Sequence, residues 1–206
     1  DISGYYAHCS ALDRCVGQLQ SAIRENGLVD NTIFVFTADH GDMLYSHGEI
    51  RKQQPWEESI RVPFLIKCPE RWSVSACRSQ DMINSPDIMP TILSLCGVDI
   101  PDTVEGTDYS GVIKGSQKNL ERSALIMCPA PFGEWRRENG GAEYRGVRPR
   151  RNTSVRKLNG PWLLFDNEKD PYQMNNLCNN TDYSAVQKQL EKELQYWLKK
   201  TGDDFA

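Results

Sequence analysis

The residues best suited to chemistry in this chain follow a short apolar run. Thr32–Phe36 is rich in β-branched and aromatic residues, which predicts a buried strand, and Asp39, His40 and Gly41 come shortly after it. Ligands gather where the strands of open α/β sheets end. A carboxylate beside an imidazole can bind a divalent cation, and glycine lets the backbone turn tightly there. In isolation this triplet would fit an ordinary turn, but the next residues favour metal-assisted hydrolysis of an oxyanion ester.

A second polar group lies in the loop before the next apolar run. Ser46-His47-Gly48 leads to Lys52, thirteen positions after Asp39, and Val62–Ile66 is again strand-like. Lysine is a compact, mobile cation suited to holding a tetrahedral anion. This order of residues resembles the sulfatase family. Further segments follow that family in the same order, namely Gly4–Ala7, Leu12-Asp13, Val16-Gly17, Asp30–Thr32, Asp87–Leu93, Cys96-Gly97, Gly106–Asp108, Leu164–Pro171 and Asn176-Leu177.

The resemblance implies roles for Asp39, His40 and Lys52. Asp39 and His40 would bind calcium, with His40 neutral, and Lys52 would be catalytic and would contact the sulfate. His47 precedes Gly48 in a loop that we expect to face the cleft, so it would orient Lys52 or touch the substrate, although a purely structural hydrogen bond explains a histidine here equally well. The substrate implied is a sulfated small molecule or glycan, and the location implied is periplasmic, secreted or lysosomal.

The family's nucleophile does not occur in these residues. It is a formylglycine made from the first residue of a Cys/Ser-x-Pro-Ser-Arg motif, and this motif is absent, as is the N-terminal aspartate pair that completes the calcium site. We therefore expect the chain to be the C-terminal half of a longer enzyme. Alone it should be inactive, and its natural partner would be the N-terminal half of the same enzyme.

The pattern of elements predicts an α/β fold. We expect part of an alkaline-phosphatase-like sandwich, a mixed sheet flanked by helices, over residues 1–115, and a small antiparallel sheet with a C-terminal helix over residues 116–206. The predicted linker spans residues 114–121. The predicted elements are helices at about 5–26, from 85 to Gly97 and around 186–197, and strands at 32–36, 62–67, 123–127, 144–147, 154–157 and 162–165.

Composition excludes several classes of protein. The chain is 39% hydrophobic with a net charge of −4, which fits a folded domain and gives no nucleic-acid footprint. No apolar run reaches the length of a membrane span. The most basic segment, Arg145–Lys157, would be a solvated surface or the rim of an anion site, and Arg136, Arg137, Arg148 and Arg150 are possible substrate contacts. Cys9, Cys15 and Cys96 are expected to fill the core.

Two alternative functions remain open. A phosphatase or phosphonate ester hydrolase of the wider alkaline phosphatase superfamily also resembles this scaffold, and it would carry two zinc ions and a Ser or Thr nucleophile. A non-catalytic binding module is the other possibility, because a half-sheet exposes apolar edges that favour association. The position of Lys52 and the segment Glu58–Pro63 favour the sulfatase.

Overall fold

The computed structural model describes residues 2–120 and 122–205, and the chain divides into two compact units. The first unit comprises Asp1–Asp39 and Val62–Cys77, and the second comprises His40–Arg61 and Arg78–Ala206. We predicted a domain boundary near residue 116, and this boundary does not coincide with the division into these two units. It stays a prediction. The linker predicted for residues 114–121 ends at Glu121, which lies outside the described residues.

The first unit consists of one long helix and a two-stranded sheet. Helix α1 (Ile2–Glu25) is the predicted first helix, beginning three residues earlier than expected. Gly27 ends it with φ of 67°, and Leu28 N donates to Ile23 O over 2.9 Å, the usual closure by a left-handed residue. Strand β1 (Phe34–Thr37) pairs antiparallel with β2 (Phe64–Lys67), so both predicted strands are present, each beginning two residues later than expected.

The prediction that these strands are buried is wrong. Leu65 of β2 is 63% exposed, and among the described residues of this unit only Pro69 is buried. Cys9 and Cys15 of α1 are exposed rather than core residues, as is Cys96 in the second unit. Periodicity identifies the apolar side of an element, but burial also requires a facing surface, and the described residues of the first unit do not provide one.

Helices α2 (Glu57–Ile60), α3 (Ser85–Leu95) and α4 (Ser110–Ile113) belong to the second unit. Helix α3 begins at Ser85, the predicted start, and Asn84 is its N-cap. Its side chain and that of Asp87 form a capping box, in which Asn84 N donates to Asp87 Oδ2 over 2.8 Å. Gly97 closes this helix with φ of 71°, as predicted.

The rest of the second unit is the predicted antiparallel sheet with its C-terminal helix. The strands are β3 (Ala124–Cys128), β4 (Tyr144–Arg148), β5 (Asn152–Lys157) and β6 (Gly160–Asp166), paired in that order. Helix α5 (Ser184–Thr201) packs on one face, where Leu190, Leu194 and Leu198 meet residues of three strands. The mixed α/β fold class with antiparallel sheets and a C-terminal helix is confirmed.

Alternation along the strands gives the sheet a second apolar face. Leu164 faces α5, whereas its neighbours Leu163 and Phe165 belong to a separate cluster with Tyr144, Val155, Cys128 and Trp135. Trp56, from the segment that carries the candidate site, packs against this second cluster. The sheet therefore holds α5 on one face and supports residues 40–61 on the other.

Candidate active site

The segment His40–Arg61 forms a loop that closes on itself. Met43 N donates to Arg51 O over 2.7 Å, and Met43 is fully buried. Gly41 N donates to Ser59 O of α2 over 2.8 Å, so the start of the segment is also fixed to its end. These two contacts bring His40 beside Lys52, although twelve positions separate them in the chain.

Strained backbone surrounds Lys52. Five non-glycine residues of this loop have positive φ, and two of them flank the lysine, Arg51 at 64° and Gln53 at 81°. The left-handed region costs a non-glycine residue about 1–3 kcal/mol, so such conformations persist only where other contacts enforce them. The full set is Leu44, Tyr45, His47, Arg51 and Gln53.

His40 and Lys52 are in direct contact. Lys52 Nζ lies 2.8 Å from His40 Nε2, and His40 Nδ1 lies 2.7 Å from Gly41 O. An ammonium group only donates, so Nε2 accepts from Lys52, and Nδ1 carries the ring proton and donates to the carbonyl. This arrangement fits a neutral imidazole. It aims the positive charge of Lys52 at Nε2, the ring nitrogen that does not carry the proton.

The described residues fit a calcium site only in part. Calcium takes six to eight oxygen ligands, and the carboxylate of Asp39, which directly precedes His40, is a ligand of the right kind. His40 Nε2 accepts from Lys52, so a bond to a metal at that nitrogen would require Lys52 to release it. Within residues 2–120 and 122–205, no group of three His, Cys, Asp or Glu residues could hold a metal ion. The metal roles of Asp39 and His40 stay predictions.

The structure places His47 against its own loop. Its ring stacks on Trp56 with centroids 4.9 Å apart, and Nε2 lies 4.0 Å from Glu58 Oε2, with the side chain 12% exposed. Trp56 in turn meets Trp162 of β6 edge to face at 5.9 Å. These contacts explain the position of His47 by packing, and its role toward Lys52 or a substrate stays a prediction.

Two connections between this loop and the sheet were not anticipated from the sequence. Gln53 exchanges hydrogen bonds with the backbone of Phe132, and Tyr144 Oη donates to Gln53 O over 2.8 Å. Glu57 receives Arg148 on both carboxylate oxygens, with Nε 2.6 Å from Oε1, and both side chains are 12% exposed. Separations of 79 to 91 residues give no local signal that could have revealed these pairs.

Most arginines of the basic segment serve the scaffold. Arg145 binds Asp203 over 2.6 Å, Arg151 binds Asp166 over 2.7 Å and Arg156 binds Glu191 over 2.6 Å. With Arg148 held by Glu57, four arginines of the segment form ion pairs within the protein, and Arg150 as a substrate contact stays a prediction. Arg136 and Arg137 pair with Glu138 and Glu143 at the surface.

Comparison with known proteins identifies the relatives of this chain. A family model described as N-sulphoglucosamine sulphohydrolase, C-terminal, matches residues 46–200. An ulvan-active sulfatase of Formosa agariphila is 40% identical over 210 residues, which cover 100% of this chain and 40% of that protein. The chain thus spans about two fifths of the length of that relative.

Solved structures give the same picture of the fold. One is a protein in complex with its substrate D-glucosamine-2-N,6-O-disulfate, with a TM-score of 0.78 and 26% identity, and the match covers 95% of this chain and 40% of that one. A phosphonate monoester hydrolase of Agrobacterium radiobacter has a TM-score of 0.78 and 25% identity, with coverage of 93% and 40%. Within the described residues, no helix is both long enough and apolar enough to cross a bilayer.

Proposed function

Since this chain belongs to the sulfatase family, we propose that the intact protein is a sulfuric ester hydrolase that removes sulfate from a sulfated carbohydrate. The observation that carries the proposal is the ammonium of Lys52, held 2.8 Å from His40 in a loop fixed at both ends. The substrate class is supported by a relative named for activity on ulvan and by a neighbour solved with a disulfated glucosamine.

Lys52 is the catalytic residue of this proposal and contacts the sulfate. Its charge stabilises the negative charge that develops on the sulfate and leaving oxygens as the ester bond breaks. His40 holds the ammonium in place before the substrate arrives, which reduces the reorganisation needed during reaction. When the anionic sulfate enters, Lys52 exchanges the neutral acceptor Nε2 for a charged one, and charge-assisted hydrogen bonds are the stronger kind.

A bound calcium would neutralise charge on the same oxyanion. Asp39 and His40 would contribute ligands to it, His40 once Lys52 has turned to the substrate, and the remaining ligands and the formylglycine nucleophile would come from a partner region, the N-terminal half of the same enzyme. The 206 residues alone are then inactive. We further propose that the intact protein is periplasmic, secreted or lysosomal.

The test uses the full-length protein with an aryl sulfate and an aryl phosphate, with and without calcium. We expect calcium-dependent sulfate release that falls at least about 100-fold in Lys52→Ala and Asp39→Ala, the range for loss of one oxyanion contact. Lys188→Ala, at an exposed position on α5, is the matched control and keeps the wild-type rate. Calcium should also raise the melting temperature of the wild type but not of Asp39→Ala, a readout independent of turnover.

The second candidate is a phosphonate or phosphate ester hydrolase. The similarity to the phosphonate monoester hydrolase of Agrobacterium radiobacter favours it. Hydrolysis of the phosphate ester alone would move the assignment there. Absence of any hydrolysis by a folded full-length protein would instead favour a binding role.

A further inference from the structure

We infer that Gln53 and Tyr144 are positioning residues for Lys52: they lock the left-handed backbone beside it and so hold its ammonium against His40. The inference rests on the proposed function of Lys52. Neither Gln53 nor Tyr144 contacts the sulfate in this proposal. Both affect the reaction only through the position of Lys52.

The side-chain amide of Gln53 forms a pair of hydrogen bonds with the backbone of Phe132, one as donor and one as acceptor. Phe132 N donates to Gln53 Oε1 over 3.1 Å, and Gln53 Nε2 donates to Phe132 O over 3.3 Å. The thiol of Cys128 lies 3.8 Å from the same Oε1. Both polar ends of the amide are therefore engaged by the loop that follows β3, which fixes the side chain in one orientation.

Tyr144 holds the backbone of the same residue. Its hydroxyl donates to Gln53 O over 2.8 Å, and its ring is 2% exposed within the aromatic cluster of the sheet. Burial raises the pKa of Tyr144, so the phenol keeps its proton and remains a donor throughout the ordinary pH range. A rigid strand thus fixes the carbonyl that directly follows Lys52 in the chain.

These three hydrogen bonds act on a residue with φ of 81°. Each typically contributes about 0.5–1.5 kcal/mol, enough in sum to offset a strain of about 1–3 kcal/mol at one left-handed residue. On the other side of Lys52, Arg51 O accepts from Met43 N over 2.7 Å, and the Arg51 side chain adds an ion pair to Glu134 at 3.1 Å with both side chains well exposed, which is a weak restraint. Lys52 is therefore restrained from both sides, by one backbone hydrogen bond at Arg51 and by three hydrogen bonds at Gln53.

The test is a double-mutant cycle in the full-length enzyme. Tyr144→Phe removes one hydroxyl and keeps the ring, and we expect kcat to fall roughly tenfold with KM changed less than about twofold, as for a catalytic group held less precisely. Tyr109→Phe is the matched control, because Tyr109 is 1% exposed and donates to a backbone carbonyl, that of Met82, over 3.1 Å. It should change kcat less than about twofold.

In the Lys52→Ala background, Tyr144→Phe should have no further effect on kcat, because its effect passes through the lysine. Gln53→Met, which keeps the length of the side chain but not its two hydrogen bonds, provides a second variant with the same expectation. A fall in kcat of equal size in both backgrounds would mean that these residues support the fold generally, and it would overturn the inference.

A labelling measurement separates this inference from the proposed function. Trace acetylation followed by peptide mass spectrometry gives the reactivity of Lys52 relative to the exposed Lys188. It should rise in Tyr144→Phe and Gln53→Met, where the ammonium is released from His40, and stay unchanged in Tyr109→Phe. If Lys52→Ala hydrolyses the ester at the wild-type rate, the proposed catalytic role of Lys52 fails, and the inference is then judged by labelling alone. A rise in the reactivity of Lys52 in Tyr144→Phe and Gln53→Met supports the positioning role. Unchanged reactivity overturns it.

Discussion

At the scale of single residues, Gly41 leaves no room for a side chain. A Cβ at this position would overlap the carbonyl oxygen of Glu58, while Gly41 N donates to Ser59 O over 2.8 Å. His40 donates to the carbonyl of the same glycine. The close approach of two backbone segments, rather than an unusual φ, therefore requires glycine, and it places His40 beside Lys52.

We predict that Gly41→Ala lowers both stability and activity. The overlap forces the start of the loop away from α2, which should reduce the free energy of unfolding by about 1–3 kcal/mol, the usual cost of overpacking. His40 moves with it, so ester hydrolysis by the full-length enzyme should fall at least about tenfold, since a small misplacement of a catalytic group has effects of this order. Denaturant unfolding and steady-state kinetics measure the two effects.

Gly17→Ala is the control for this substitution. Gly17 lies inside α1, and a Cβ there meets no atom within 4 Å. Alanine should stabilise the helix by about 0.5–1 kcal/mol and leave the rate unchanged. A Gly41→Ala protein that unfolds at the same denaturant concentration as the wild type would contradict the steric argument.

At the scale of elements, the end of α5 is tied to strand β4 by one ion pair. Arg145 is 6% exposed and binds Asp203, just beyond the helix, with Nε 2.6 Å from Oδ2. The guanidinium of Arg145 also lies over the ring of Phe205, 4.5 Å from its centroid. The hydrogen bond and charge of Arg145 hold the pKa of Asp203 below its usual value.

This lowered pKa predicts how stability depends on pH. A carboxyl whose pKa is lower in the folded than in the unfolded state contributes stability that is complete above the unfolded pKa, about 3.9, and is lost as pH falls through the folded pKa. Asp203→Asn should therefore melt below the wild type at neutral pH, and the difference should shrink as pH falls below about 4. Melting temperatures recorded across this range check it.

Asp13→Asn, at an exposed position of α1, serves as the control for that experiment. It should follow the wild type at every pH, because an exposed carboxylate contributes little. A wild-type advantage over Asp203→Asn that persists unchanged in strong acid would show that the ion pair is not the source of the stability.

At the scale of the whole molecule, burial is very unequal between the two units. Helix α1 has no buried residue in 24, whereas α5 buries three leucines against the sheet. Local stability follows buried apolar contacts, so the two helices should open with different free energies even in one chain.

We predict that amides of α1 exchange with solvent much faster than amides of α5. In the 206-residue chain the protection of α5 should exceed that of α1 by at least about 100-fold, corresponding to a difference in opening free energy of about 3 kcal/mol. Hydrogen exchange followed by mass spectrometry measures both helices in one sample. Equal protection would refute the assignment of a separately stabilised second unit.

The sequence by itself determined the elements and the family. Apolar periods of two and of three to four residues located the strands and the three longest helices to within a few positions, because side-chain spacing is a local property of the backbone. The short helices α2 and α4 were not predicted. The order of Asp39, His40 and Lys52 before the C-terminal signature indicated a sulfatase, and the match over residues 46–200 confirms the family.

Only the tertiary structure decided which surfaces are covered and what supports the site. The stripe of α1 and its cysteines read as core but lie exposed, since burial depends on a facing surface elsewhere in space. Gln53, Tyr144, Glu57 and Arg148 gave no local signal, because each meets a partner 79 or more residues away. Contacts between distant segments depend on how the chain folds back, and no pattern of neighbouring residues encodes them.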